Sequence, residues 1–89
     1  MPELVSIQVV GPDHVYLRHE NFVLHAQKQP KGHSLFEADS SFRMVPIDSG
    51  GVRFEASNYP GMFITVNESG SVVLAKGRPV EQSTFVLVK

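Results

Sequence analysis

The sequence predicts an all-β chain built from two four-stranded units. Three observations carry this reading. Short apolar, β-branched stretches recur along the whole length, each bounded by Gly, Pro, Asn or Asp. No stretch has a convincing amphipathic helical period, and the best helical piece, Phe36 to Ser40, is too short to stand alone. The strand pattern of the first half also returns in the second. Val5-Ser6-Ile7-Gln8-Val9 lines up with Val52-Arg53-Phe54-Glu55-Ala56, and the same offset lays Tyr16-Leu17-Arg18-His19 over Phe63-Ile64-Thr65-Val66. Further on, Leu24 matches Leu74 and Phe42 matches Phe85, so the loops drift in length while the strands keep their pattern.

Taken in order, Leu4 to Val10 alternates apolar positions with Ser6 and Gln8 and reads as a strand. Gly11-Pro12-Asp13 is a turn signal. Val15 to Arg18 and Phe22 to Ala26 form the next two strands, with Glu20-Asn21 as a tight hairpin connection in which Asn accepts a positive φ. Gln27 to Ser34, with Pro30 and Gly32, is a loop, and Ser41 to Val45 is a strand stopped by Pro46. After the turn cluster Asp48-Ser49-Gly50-Gly51, strands are expected at Val52 to Ala56, Met62 to Val66, Ser71 to Ala75 and Thr84 to Val88. The chain is expected to be one domain spanning 1–89, with one repeat at 4–47 and a second at 51–89. Such a unit cannot bury its apolar face alone, so the copies must share a core, and a closed β architecture would remove the exposed sheet edges.

Composition narrows the function classes. At 89 residues the chain has room for a single small core, and 42% hydrophobic residues make a packed core feasible. The net charge is -1 and the basic residues are scattered, which argues against a nucleic-acid or anionic-membrane partner. Without cysteine there is neither a disulfide framework nor a thiolate metal site. Met1 to Val10 has no basic leader followed by an apolar run, so it does not read as a signal peptide. The compartment stays open.

The residues that carry chemistry sit at two places. Tyr16-Leu17-Arg18-His19 ends a strand on an imidazole, and Asp39-Ser40-Ser41-Phe42 places a carboxylate just before a strand. A pocket for a neutral, hydroxyl-covered ligand needs such groups. A carboxylate accepts strong bonds from neighbouring hydroxyls, neutral histidine offers one donor and one acceptor, and tyrosine pairs an apolar face with a hydroxyl. His19 and Asp39 are therefore the main binding candidates, with Tyr16 and Asn21 behind them. The plainer alternative is that His19 is a turn residue and Asp39 caps a turn. Strand alternation puts Arg18 on the face opposite Leu17, as a structural or solvated residue.

Three stretches together resemble the arabinose-binding domain of α-L-arabinofuranosidase B. Phe54-Glu55-Ala56-Ser57-Asn58-Tyr59-Pro60-Gly61-Met62-Phe63-Ile64 is similar to the opening of that family's repeat. Tyr16-Leu17-Arg18-His19-Glu20-Asn21-Phe22 is similar to its continuation, and Leu35-Phe36-Glu37-Ala38-Asp39-Ser40-Ser41-Phe42 to its close. The resemblance covers nearly the whole chain. It implies a β-trefoil, of which this chain carries two of the usual three repeats, and pockets for arabinofuranose side chains of a polysaccharide that use the His and Asp matched by His19 and Asp39. Removing the Asp39 carboxylate is expected to abolish sugar binding while leaving the fold intact.

The second copy departs from the pattern. Val66 stands in place of the histidine, Gln82 in place of the aspartate and Thr65 in place of the arginine, so no second sugar pocket is expected. His14, His19, His25 and His33 lie close in sequence but match no metal-ligand spacing. Glycoside hydrolysis ordinarily uses two carboxylates, and only Asp39 is convincingly placed, so no enzyme activity and no cofactor are expected. Asn67-Glu68-Ser69 matches the short N-glycosylation pattern.

Two function classes follow: a non-catalytic carbohydrate-binding module, or a structural or protein-interaction module on the same scaffold that has lost its ligand. The expected partner is an arabinose-containing polysaccharide or oligosaccharide. Two repeats leave strand edges and part of a shared core open, so a homo-oligomer is expected; three chains would supply repeats for two trefoils. Beginning at Met1 and ending on Phe85-Val86-Leu87-Val88, the chain does not look cut within a repeat.

Overall fold

The computed structural model describes residues 3–11, 14–29, 34–48, 50–77 and 80–86. Among the described residues seven strands follow in chain order: β1 (Glu3–Val5), β2 (Val15–Glu20), β3 (Val23–Lys28), β4 (Phe42–Pro46), β5 (Val52–Ala56), β6 (Phe63–Val66) and β7 (Val72–Ala75). One short helix, α1 (Ser34–Asp39), precedes β4, and a 3₁₀ turn spans Val80–Ser83. The strands pair antiparallel in the order β1-β4-β5-β6-β7-β3-β2, in a curled, half-barrel sheet of β-trefoil-like type.

Most strands fall where alternation and turn chemistry put them, and the differences have causes. The first strand keeps its pairing with β4 only over Glu3–Val5. The chain then swings to β2, where Val9 N–H bonds the Val15 carbonyl at 2.8 Å and Leu17 N–H bonds the Ile7 carbonyl at 2.9 Å. One bent segment thus touches both ends of the sheet, which a single straight strand could not do. The β2–β3 hairpin turns at Asn21-Phe22, one residue later than Glu20-Asn21, because both residues adopt positive φ. The last expected strand is represented by Phe85, which forms a bridge to Val52; Leu87 and Val88 lie outside the described residues, as do Pro12, Asp13, Pro30, Gly32, His33 and Ser49 of the expected loops.

The helix at Ser34–Asp39 was too short to expect from sequence. It forms because Phe36 is wholly buried and because the hydroxyl of Ser41 donates to the Glu37 carbonyl at 2.7 Å, closing the final turn. Burial of one large side chain contributes about 1.5–3 kcal/mol, more than a single turn of helix can supply by itself.

The core is formed by Phe42, Val52, Phe54, Ala56, Ile64 and Leu74. On β5 the buried positions are Val52, Phe54 and Ala56, while Arg53 and Glu55 face the other side, the period-2 pattern of a half-covered strand. Arg53 lies over the ring of Phe63 at 3.7 Å and donates to the wholly buried Ser83 hydroxyl at 3.0 Å, which ties the 3₁₀ turn to the sheet. Gly77 permits that approach. Its φ is 74°, and a Cβ there would overlap the Arg53 guanidinium and stand 2.8 Å from Ser83 Oγ.

The core is not closed on all sides. Val5, Ile7, Leu17, Phe54, Ile64 and Phe85 line an apolar groove of about 580 Å³. No helix among the described residues is long and apolar enough to cross a membrane.

Candidate functional site

The last three residues of β2, the turn after it, the end of α1 and the 57–61 turn meet at one small pocket. Arg18, His19, Glu20, Asn21, Phe22, Asp39 and Tyr59 line it, and its volume is about 240 Å³. Sites for drug-sized ligands run from about 300 to 1,000 Å³, so this one suits a single small unit.

Asp39 is the centre of the site. It is the C-terminal residue of α1, the end at which a helix disfavours negative charge. Arg18 offsets this: its guanidinium donates to Asp39 Oδ2 at 2.5 Å and to Gln27 Oε1 at 3.2 Å. Both members of the pair are almost fully buried, and Arg18 also lies over the Phe36 ring at 5.5 Å. Arg18 is therefore a buried structural partner of the site and not a solvated residue. Alternation does point it away from Leu17, but the face it turns to is covered by α1.

The other Asp39 oxygen belongs to a second network. Asn58 Nδ2 donates to Asp39 Oδ1 at 2.9 Å, and Asn58 Oδ1 accepts from His19 Nε2 at 2.7 Å. That arrangement requires the proton of His19 on Nε2. His19 Nε2 lies 3.6 Å from Asp39 Oδ1, so Asn58 bridges the two groups. Tyr59 stands edge-on to the His19 ring at 5.5 Å and to the Phe22 ring at 5.4 Å.

The four candidates from sequence fare differently. His19 and Asp39 converge, and Asn21 lines the same pocket. Tyr16 does not reach it; this residue sits further back on β2, opposite Gln27 and bridged to Gln8. Arg18, Asn58 and Tyr59 join the same cluster and are not among those four. The Asn58-Tyr59-Pro60-Gly61 stretch carries part of the family resemblance, and that was the available signal. It opens the second half of the chain, however, and gave no reason to assign it to a pocket in the first.

The burial of Asp39 overturns one expectation. This carboxylate is 6% exposed and ion-paired, so it is not an acceptor in an open pocket that can be deleted without cost to the fold. With Arg18 and Asn58 each using one direction, each Asp39 oxygen keeps a further lone pair for a ligand hydroxyl.

In the second half, Thr65 is buried with its hydroxyl bonded to the Phe63 carbonyl at 2.9 Å, and Val66 lines the apolar groove. Next to Gln82 in the chain, Ser83 accepts from Arg53 and donates to the Gly77 carbonyl. His14 and His25 are exposed, His33 lies outside the described residues, and no group of three or more His, Cys, Asp or Glu gathers among those described. Asn67 caps the β6–β7 turn, its Oδ1 accepting from the backbone N–H groups of Ser69 and Ser71 at 3.1 and 3.0 Å.

The curled antiparallel sheet is of β-trefoil-like type, and the family that the chain matches is one of carbohydrate-binding domains. The chain belongs to the α-L-arabinofuranosidase B (ABFB) domain family, whose model matches residues 1–86. A search of curated proteins gives no significant match.

Proposed function

We propose that the chain is a non-catalytic module that recognises arabinofuranose-type side chains of polysaccharides through this single pocket. The observation that carries the reading is the convergence of His19, Asn58 and Asp39 on one bonded chain beside a cavity of about 240 Å³. A sugar hydroxyl both donates and accepts. Asp39 supplies charged acceptors, and the second N–H of the Asn58 amide supplies a donor. Arg18 holds Asp39 in place, and Tyr59 gives an apolar wall. The choice of arabinofuranose rests on the family, and the pocket size supports one sugar unit. The test is an NMR titration with methyl α-L-arabinofuranoside and arabinoxylan oligosaccharides. Saturable shifts centred on residues 18–22, 39 and 58–59 support the reading, and their absence sinks it.

A homo-oligomer belongs to the same proposal. The apolar groove between β1, β6 and Phe85 is lined by core-type side chains, with Val72 and Val86 exposed beside it. A second copy, presenting the same kind of β unit, would bury that surface as the two halves of this chain bury theirs against each other. The groove is also what favours the competing reading of a structural or protein-interaction module, which gains if the titration is silent.

A further inference from the structure

Phe22 sits on a backbone that suits it poorly. Its φ is 61° and that of Asn21 is 52°, the pair of left-handed residues that a two-residue hairpin turn requires. Asn tolerates this region, whereas for a bulky residue it is a rare conformation that costs about 1–2 kcal/mol. The surroundings hold it there. The Phe22 carbonyl accepts from Leu74 N–H at 2.8 Å, and Val23 pairs with Val73, so the turn is tied to β7. Core burial does not repay the strain, because Phe22 is 47% exposed. Its ring stands edge-on to Tyr59, 5.4 Å between centroids, and both rings line the pocket that contains His19 and Asp39. Glycine would make the same turn without strain. A half-exposed phenyl ring kept on strained backbone at the rim of a polar pocket points to a role in binding.

We propose that Phe22, backed by Tyr59, is an aromatic platform for the sugar next to the one in the pocket. The pocket takes one sugar unit, so the rest of a polysaccharide must pass over the rim. The C–H face of a sugar ring is apolar and packs on the negative face of an aromatic ring. The platform makes the site select a pentose attached to a polymer over the free pentose. This inference rests on the sugar-binding reading above.

The experiment compares the parent with Phe22→Gly and Phe22→Tyr, by NMR titration with methyl α-L-arabinofuranoside and with an arabinosylated xylo-oligosaccharide, and by thermal unfolding. In Phe22→Gly the melting temperature rises by about 4–8 °C, from release of roughly 1 kcal/mol of strain. Affinity for the oligosaccharide falls by about threefold to tenfold, the range of one aromatic contact. Affinity for the methyl glycoside, whose pocket Phe22 also lines, falls by less than that for the oligosaccharide, and Phe22→Tyr keeps both affinities. Unchanged oligosaccharide affinity in Phe22→Gly overturns the platform, as does an equal loss for both ligands. A lower melting temperature overturns the strain argument and shows that the ring is kept for packing. A parent protein that binds neither ligand removes the sugar-binding reading itself, and the platform with it.

Discussion

Asn58 Nδ2 donates to Asp39 Oδ1 across 2.9 Å, although the two residues lie on opposite sides of β4 and β5 in the chain. The bond joins the turn after β5 to the end of α1. Through the other end of its amide, Asn58 also fixes the imidazole of His19. The site is thus closed by a residue from the second half of the chain, and its geometry depends on the β4–β5 hairpin that brings the two halves together.

Asn58→Ala is expected to weaken binding of an arabinofuranosyl ligand by about tenfold to a hundredfold. One bond to a charged acceptor is worth about 1.5–3 kcal/mol, and about 1.4 kcal/mol corresponds to tenfold. Isothermal titration of both proteins measures this. Equal affinities would mean that the amide positions nothing in the bound state.

Asp39→Ala is expected to cost about 3–5 kcal/mol of folding stability, because it leaves the Arg18 guanidinium buried without its counter-charge. Binding is lost as well. Replacing both partners, as Arg18→Met with Asp39→Leu, recovers much of the stability and none of the binding. Urea denaturation of the parent, Asp39→Ala, Arg18→Met and the double variant separates these effects. Equal midpoints for parent and Asp39→Ala would show that the pair contributes nothing to the fold.

Binding is expected to saturate at one ligand molecule per chain, with no shifts around Val66 and Gln82. Val66 faces the apolar groove and Thr65 spends its hydroxyl on the Phe63 carbonyl. Installing a histidine alone, by Val66→His, does not create a second site, because the first one also needs an asparagine and a tyrosine from the segment that follows. A crystal soaked in ligand that shows sugar beside Val66 contradicts this.

Self-association is expected at micromolar concentration, through the groove beside β1 and Phe85. Val86 is 74% exposed on its rim, and Val86→Lys would place a charge in the contact. Sedimentation velocity then shows the parent as an oligomer and the variant shifted toward monomer. A sharply melting parent monomer would mean that the chain's own two halves make a sufficient core.

Much of this protein was legible in local chemistry. β5 is found where Val52, Phe54 and Ala56 alternate with Arg53 and Glu55, because side-chain alternation in a strand is a property of adjacent residues. The core positions Phe42, Ile64 and Leu74 follow from the same pattern, and His19 and Asp39 stood out because each ends a short motif. Tertiary structure decided the rest. Six residues of α1 are too few to hold a helix, so its existence depended on a buried site for Phe36. The hairpin turned at Asn21-Phe22 because the bond to β7 holds Phe22 at a φ its side chain disfavours. Arg18 became a buried partner once α1 covered its face of β2, and Asn58 and Tyr59 reached His19 only when the sheet curled. Local patterning selects strands and turns through near neighbours along the chain, whereas this pocket is set by contacts between residues 19 to 39 positions apart, which depend on the curvature of the whole sheet.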